Sequence, residues 1–139
     1  MIKIFIDSDV ILDLFAKRKL FYHHSAKLLS YVETRKIVGF TTPLVFANVY
    51  FILRRLKSKT YALQCLRKLR IIVDVLKMDQ KQLDRALNSE FTDFEDALQN
   101  YAASNAKLDY IITRNKSDYK YSSIIVCTPE ELLAILESK

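Results

Sequence analysis

Residues 2–9, Ile2-Lys3-Ile4-Phe5-Ile6-Asp7-Ser8-Asp9, decide how this chain is read. A short, nearly continuous apolar run stopped by acids predicts a strand covered on both faces, as in a parallel sheet, that opens into an acidic loop. The same pattern returns downstream. Ile37-Val38-Gly39-Phe40-Thr41, Ile71-Ile72-Val73-Asp74-Val75, Asp109-Tyr110-Ile111-Ile112-Thr113 and Ser123-Ile124-Ile125-Val126-Cys127 read as further strands. Helical segments separate them, over 10–16, about 21–35, 42–56, 58–70 and 79–88, with others opening at Thr92 and Thr128. Such alternation predicts an α/β fold of three layers, α/β/α, around a central parallel sheet of about five strands. One domain is expected over residues 1–139.

Helix starts are legible from capping chemistry. Thr42-Pro43 and Thr128-Pro129 place a hydroxyl at the N-cap and proline in the first turn. Thr92-Asp93-Phe94-Glu95 matches a capping box, and its helix sets Phe94, Ala97, Leu98, Tyr101 and Ala102 on one stripe. The helix over 42–56 is expected to bury Val45, Val49, Ile52 and Leu56, with Asn48 on the same stripe. An amide there needs a partner, because an unsatisfied buried polar group costs about 1–3 kcal/mol.

Composition narrows the function classes. Apolar residues make up 50% and charged residues 27%, which fits a globular chain. No apolar run approaches the ~20 residues of a membrane span. The few apolar residues before Asp7 are too short for a signal peptide, so a cytoplasmic protein is expected. Cys65 and Cys127 lack metal-ligand spacing and read as buried, reduced thiols. A single glycine, Gly39, excludes phosphate-binding loops and Gly-rich dinucleotide fingerprints. The net charge of +6 suits a polyanionic partner.

Acids gather at or near the expected strand ends: Asp7 and Asp9 after the first strand, Asp96 on the helix opened at Thr92, Asp118 after the fourth strand. Loops at the carboxyl ends of parallel strands face one crevice. Two carboxylates roughly 4 Å apart repel by about 4 kcal/mol at an effective dielectric of ~20. An all-oxygen site of this kind suits Mg²⁺ or Mn²⁺. Asp7 and Asp96 are the firmest pair, whereas Ser8, Asp9, Asp93 and Glu95 also have ordinary capping roles. Asp13 reads equally as a solvated helix position and as support for the site. Thr113-Arg114-Asn115-Lys116-Ser117-Asp118 brings a hydroxyl, two cations, an amide and an acid into one loop, with Arg114 and Lys116 as candidates for holding phosphate.

These motifs, taken in order, resemble the PIN domain over nearly the whole chain. Asp7-Ser8-Asp9-Val10-Ile11-Leu12-Asp13 resembles the family's opening motif and Asn48-Val49-Tyr50-Phe51-Ile52-Leu53-Arg54 its second. Asp93-Phe94-Glu95-Asp96-Ala97-Leu98-Gln99 resembles the third, and Ile112-Thr113-Arg114-Asn115-Lys116-Ser117-Asp118-Tyr119 the closing one. The resemblance implies a Mg²⁺- or Mn²⁺-dependent ribonuclease of the VapC toxin type, neutralised by a small antitoxin protein and often homodimeric. It implies catalytic roles for Asp7, Asp96, Asp118, Asn48 and Asn115, with Asp7, Asp96 and Asp118 on the metal. Ser8, Asp9, Asp93 and Thr113 would support them, and Arg114 and Lys116 would contact RNA. Asn48 stands where the family usually has Glu, and Asn115 competes with Asp118 for the last position. Two alternatives share these residues: a PIN-like module that binds RNA or antitoxin without cutting, and a haloacid-dehalogenase-like phosphatase with Asp7 as nucleophile. Full Mn²⁺-dependent RNA cleavage by Asp96→Asn would sink the nuclease assignment.

Overall fold

The computed structural model describes residues 1–138. Lys139, the last residue of the expected domain, lies outside them. Five strands form one sheet: β1 (Lys3–Ile6), β2 (Val38–Thr41), β3 (Asp74–Val75), β4 (Tyr110–Ile112) and β5 (Ile125–Cys127). All neighbours are parallel and the order is β3-β2-β1-β4-β5. Helices flank the sheet in the α/β/α arrangement: α1 (Ser8–Phe15), α2 (Tyr22–Glu33), α3 (Pro43–Leu56), α4 (Lys59–Ile72), α5 (Gln80–Leu87), α6 (Phe94–Asn105) and α7 (Pro129–Glu137). A 3₁₀ turn, Lys116–Tyr119, follows β4.

The central strand explains the opening sequence. Ile4, Phe5 and Ile6 are all fully buried, because β1 has a neighbouring strand on each side and helices over each face. The chain winds outward from β1 through β2 to β3, then returns across the sheet to β4 and β5. The direction of winding therefore reverses between β1 and β4, where an open parallel sheet forms its ligand crevice. Register aligns the two strand ends, pairing Ile6 with Ile112. The Asp7 N–H donates to the Ile112 carbonyl at 3.0 Å, so Asp7 and Thr113 emerge side by side.

Helix capping works largely as the sequence indicates. The Thr42 hydroxyl accepts from the Val45 N–H, with Pro43 opening α3. Thr128 and Glu131 form a reciprocal capping box on α7. Lys17, Arg35 and Lys107 adopt left-handed backbone (φ 52°, 61° and 57°) just past the ends of α1, α2 and α6, positions that usually take glycine. The one glycine serves packing instead. A Cβ on Gly39 in β2 would lie 2.8 Å from Val32 Cγ1 of α2, so its absence lets helix and strand approach closely.

Three local expectations are corrected. Ile71 and Ile72 belong to α4, not to the third strand, which is only Asp74–Val75 at the sheet edge. The helix continues until the Val73 N–H closes it on the Leu69 carbonyl; β-branched propensity loses to an established helix. Helix α3 buries Val45, Val49 and Leu53, while Ile52 and Leu56 face outward, because its contact face follows a strict four-residue spacing. Helix α6 is capped by Asp93, whose carboxylate accepts from the Asp96 N–H at 3.0 Å; Thr92 is exposed and caps nothing. The buried face of α6 is unexpectedly polar, with Asp96, Gln99 and Asn100 beside Ala97, Ala102 and Ala103.

Candidate active site

Asp7 is the N-cap of α1, and its Oδ1 accepts from the Ser8 N–H at 2.8 Å. Its other oxygen meets two hydroxyls, Thr113 Oγ1 at 3.1 Å and Tyr119 Oη at 3.2 Å. Tyr119 also lies 3.2 Å from Asp96 Oδ1. One buried phenol thus joins the carboxylate at the end of β1 to the carboxylate in the first turn of α6. The tyrosine ring is held from behind by Phe91, with centroids 6.2 Å apart in an edge-to-face arrangement.

Proton counting exposes a shortage at this junction. A phenol has one proton, and so does the Thr113 hydroxyl, which faces Asp7 at 3.1 Å and Asp9 at 3.2 Å. With every carboxylate ionised, each hydroxyl serves one acid and turns a lone pair toward the other. The energetics follow. Burial, then the Asp9 charge, lifts the Asp7 carboxyl to about 6 despite its hydrogen bonds. Burial, then the charges of Asp7 and Asp93, lifts Asp96 to about 7. Burial and these two carboxylates drive the Tyr119 phenol well above its ordinary range, so it stays a donor. A proton resting on Asp96 lets that acid donate to Tyr119, which donates to Asp7.

The loop after β4 divides its expected roles. The Asp9 Oδ2 accepts from the Arg114 N–H at 3.0 Å and the Asn115 side-chain amide at 3.1 Å. Burial still pushes Asp9 upward, against those bonds. The Arg114 guanidinium points elsewhere: its Nε and Nη2 bind the fully buried Asp13 carboxylate at 2.6 and 3.1 Å. The guanidinium expected at phosphate is thus matched here by a buried carboxylate. Asp13 is no solvated helix residue but the anchor of this loop, reached also by Arg18. Lys116 pairs with Glu131 at 3.1 Å, both about half exposed (47% and 48%). Asp118 lines the cleft, and its charge helps raise Asp96.

On the far wall, Asn48 is half-buried and donates to Glu95 Oε2 at 3.1 Å. Freed from the expected capping box, Glu95 turns into the cleft, where Gln99 is held by Thr42 at 3.2 Å. Sequence reasoning missed Tyr119, Glu95 and Gln99. Only the tyrosine had a readable signal, as a polar-tipped aromatic directly after Asp118 that would need a hydrogen-bond partner once buried.

The donors suit a hard divalent cation. The cleft encloses about 200 Å³ and is walled almost wholly by oxygen-bearing side chains. Asp9 Oδ1 and Ser8 Oγ are buried there without a hydrogen-bond partner. Among the described residues no three acidic, histidine or cysteine side chains stand ready as a complete ligand set. Mg²⁺ is commonly held by one or two carboxylates with water and phosphate completing its shell, which is what Asp7 and Asp96 provide.

Comparison with known proteins agrees with this architecture. The chain is 26% identical over 134 residues to ribonuclease VapC1 of Aquifex aeolicus, covering 93% of this chain and 92% of that protein. VapBC2 from Rickettsia felis, solved bound to a DNA fragment from its promoter, superposes with a TM-score of 0.70 at 12% identity, over 91% of this chain and 98% of that one. VapC20 of Mycobacterium tuberculosis, a toxin that cleaves the sarcin-ricin loop, gives a TM-score of 0.63 at 16% identity, over 78% and 86%. The PIN domain pattern matches residues 3–117, most of the chain, and the chain belongs to the PIN domain family.

Proposed function

We propose that the chain is a divalent-metal-dependent endoribonuclease and the toxin of a toxin–antitoxin pair, with RNA as substrate and a small antitoxin as partner. The observation that carries the reading is the Asp7–Tyr119–Asp96 junction at the β1/β4 switch point, short of protons and open to the cleft. It lies in a chain of net charge +6, related to a protein named a ribonuclease. A protein of the same fold from Klebsiella pneumoniae was solved as a toxin–antitoxin complex, which favours the partner, and a homodimer accompanies the same reading. A cytoplasmic location goes with it; among the described residues no helix is long and apolar enough to cross a membrane.

Asp7 and Asp96 would hold Mg²⁺ or Mn²⁺, with Asp118 across the opening. Bound there, the cation supplies positive charge to the scissile phosphate and acidifies water. The chain's own residues do the positioning. Thr113 and Tyr119 fix the Oδ2 of Asp7. The Arg114 N–H and Asn115 amide fix Asp9, which leaves Asp118 rather than Asn115 for the last acidic position. Glu95, held by Asn48, supplies the carboxylate that the family's second motif places at position 48. Lys116 exchanges Glu131 for phosphate at little cost, since exposed ion pairs contribute about 0–1 kcal/mol.

The family match sets aside the phosphatase reading. The test is Mn²⁺-dependent cleavage of RNA by the native protein, Asp7→Asn and Asp96→Asn. Both variants should fall to background while keeping the native circular dichroism spectrum. Induced native protein should arrest growth and Asp96→Asn should not. Metal-indifferent RNA binding without products would move the assignment to the non-cutting module.

A further inference from the structure

A second cavity, of about 220 Å³, lies between α1, α2 and the start of α7, lined by Phe21, His24, Ser25, Arg114, Thr128 and Glu130 among others. We propose that it receives one unpaired nucleobase of the RNA, next to the phosphate that a cation at Asp7 and Asp96 would hold; this rests on the nuclease reading above.

Position is the first argument. Arg114 is shared between the two sites: its backbone N–H binds Asp9 in the cleft, and its side chain forms a wall of the cavity. Thr128 follows β5 as Thr113 follows β4, on strands in register, so both sites open at the carboxyl end of the sheet. Shape is the second. The Arg114 guanidinium carbon sits 3.9 Å from the centroid of the Phe21 ring, with Phe21 36% exposed. A planar cation on an aromatic ring is the surface on which bases stack.

Chemistry is the third. Ser25 is fully buried at the cavity, and its hydroxyl has no hydrogen-bond partner. It awaits a polar group from outside the chain. The charges of Arg114 and Arg18 are offset by Asp13 and Glu130, so the cavity favours a neutral polar ligand over phosphate. A base is flat, uncharged and rich in donors and acceptors, and Ser25, His24 and Glu130 meet it with both kinds. Outside the cavity, Lys17 and Lys19 are exposed in Lys17-Arg18-Lys19-Leu20-Phe21, suitably placed for the backbone of the same strand.

The experiment titrates the intact protein with the four ribonucleosides, and with ribose 5-phosphate as control, by amide NMR without metal. At least one nucleoside should saturably shift the amides of Ser25, Thr128 and Glu130. Phe21→Ala and Ser25→Ala, each showing a native-like spectrum, should weaken that response by roughly tenfold. Ser25→Ala removes only an unpartnered hydroxyl, so its fold should persist even where Phe21→Ala disturbs α2. No saturable shift, shifts confined to Ser8 and Asp96, or an equal response to ribose 5-phosphate overturns the proposal. The nuclease reading is judged separately, by native cleavage against Asp96→Asn, so either idea can fail alone.

Discussion

At the scale of single residues, the Asp7–Tyr119–Asp96 junction links stability to pH. Folded-state values of about 6 for Asp7 and about 7 for Asp96 lie above the ordinary 3.8. The folded chain therefore holds these protons more tightly than the unfolded chain does. Their favourable contribution is complete below 3.8 and disappears as pH rises through 6 to 7. For Asp7 alone the loss is roughly 3 kcal/mol. Calorimetry without metal should show stability falling across that window. Mg²⁺ should raise the melting temperature more on the alkaline side, where no proton competes for the carboxylates. Asp7→Asn should flatten the metal-free slope and abolish the Mg²⁺ effect; an unchanged slope would contradict the assignment. Tyr119→Phe removes the one proton shared by both acids, whose effect is to lower their values. Its pH–rate profile should therefore have an acidic limb displaced to higher pH.

Between elements, two close contacts set the frame around the cleft. Asp13 on α1 and Arg114 after β4 form a two-pronged pair, with the carboxylate fully buried. Arg114→Ala leaves that buried charge only the longer contact with Arg18, at 3.5 Å, and should cost about 3 kcal/mol. A double-mutant cycle with Asp13→Asn should recover much of the loss, because the stranded charge is then gone. Additive losses would show that the two residues do not act as a pair. Gly39 in β2 is the other contact. Its missing Cβ admits Val32 of α2, so Gly39→Ala should destabilise by about 1–3 kcal/mol. Val32→Ala in the same chain should lessen the cost, as read from denaturant midpoints. Each contact joins two different elements, and Asp13 and Arg114 are also far apart in sequence, so neither contact appears as a local motif.

For the whole molecule, charge and topology act together. A chain of net charge +6 concentrates acids at one end of its sheet, so its field draws polyanions while the cleft itself repels them without a cation. RNA affinity should fall with added salt and rise with divalent metal at fixed ionic strength, measured by fluorescence anisotropy with Ca²⁺ in place of Mn²⁺. Indifference to the metal would remove the cation from the binding step. The parallel sheet and its helix order were legible because buried parallel strands are continuous apolar runs bounded by turns and caps. The exceptions were local. Ile71 and Ile72 look like strand by composition but complete α4, since helix propagation outweighs a two-residue edge strand. Asp93 displaced Thr92 as the cap of α6, which released Glu95 to Asn48.

By itself the sequence determined the α/β/α architecture, the strand ends that carry acids, and the absence of a glycine-rich phosphate loop. Those features depend on periodicity, capping and composition, which are local and survive without coordinates. Tertiary structure alone decided what each polar side chain does. It set Tyr119 between Asp7 and Asp96, placed the Arg114 guanidinium on Asp13, and left Ser25 facing a cavity with nothing to bind. The reason is physical. A hydrogen bond or ion pair depends on a few ångströms and on burial, and both arise only when segments more than a hundred residues apart, such as Asp7 and Tyr119, are brought together.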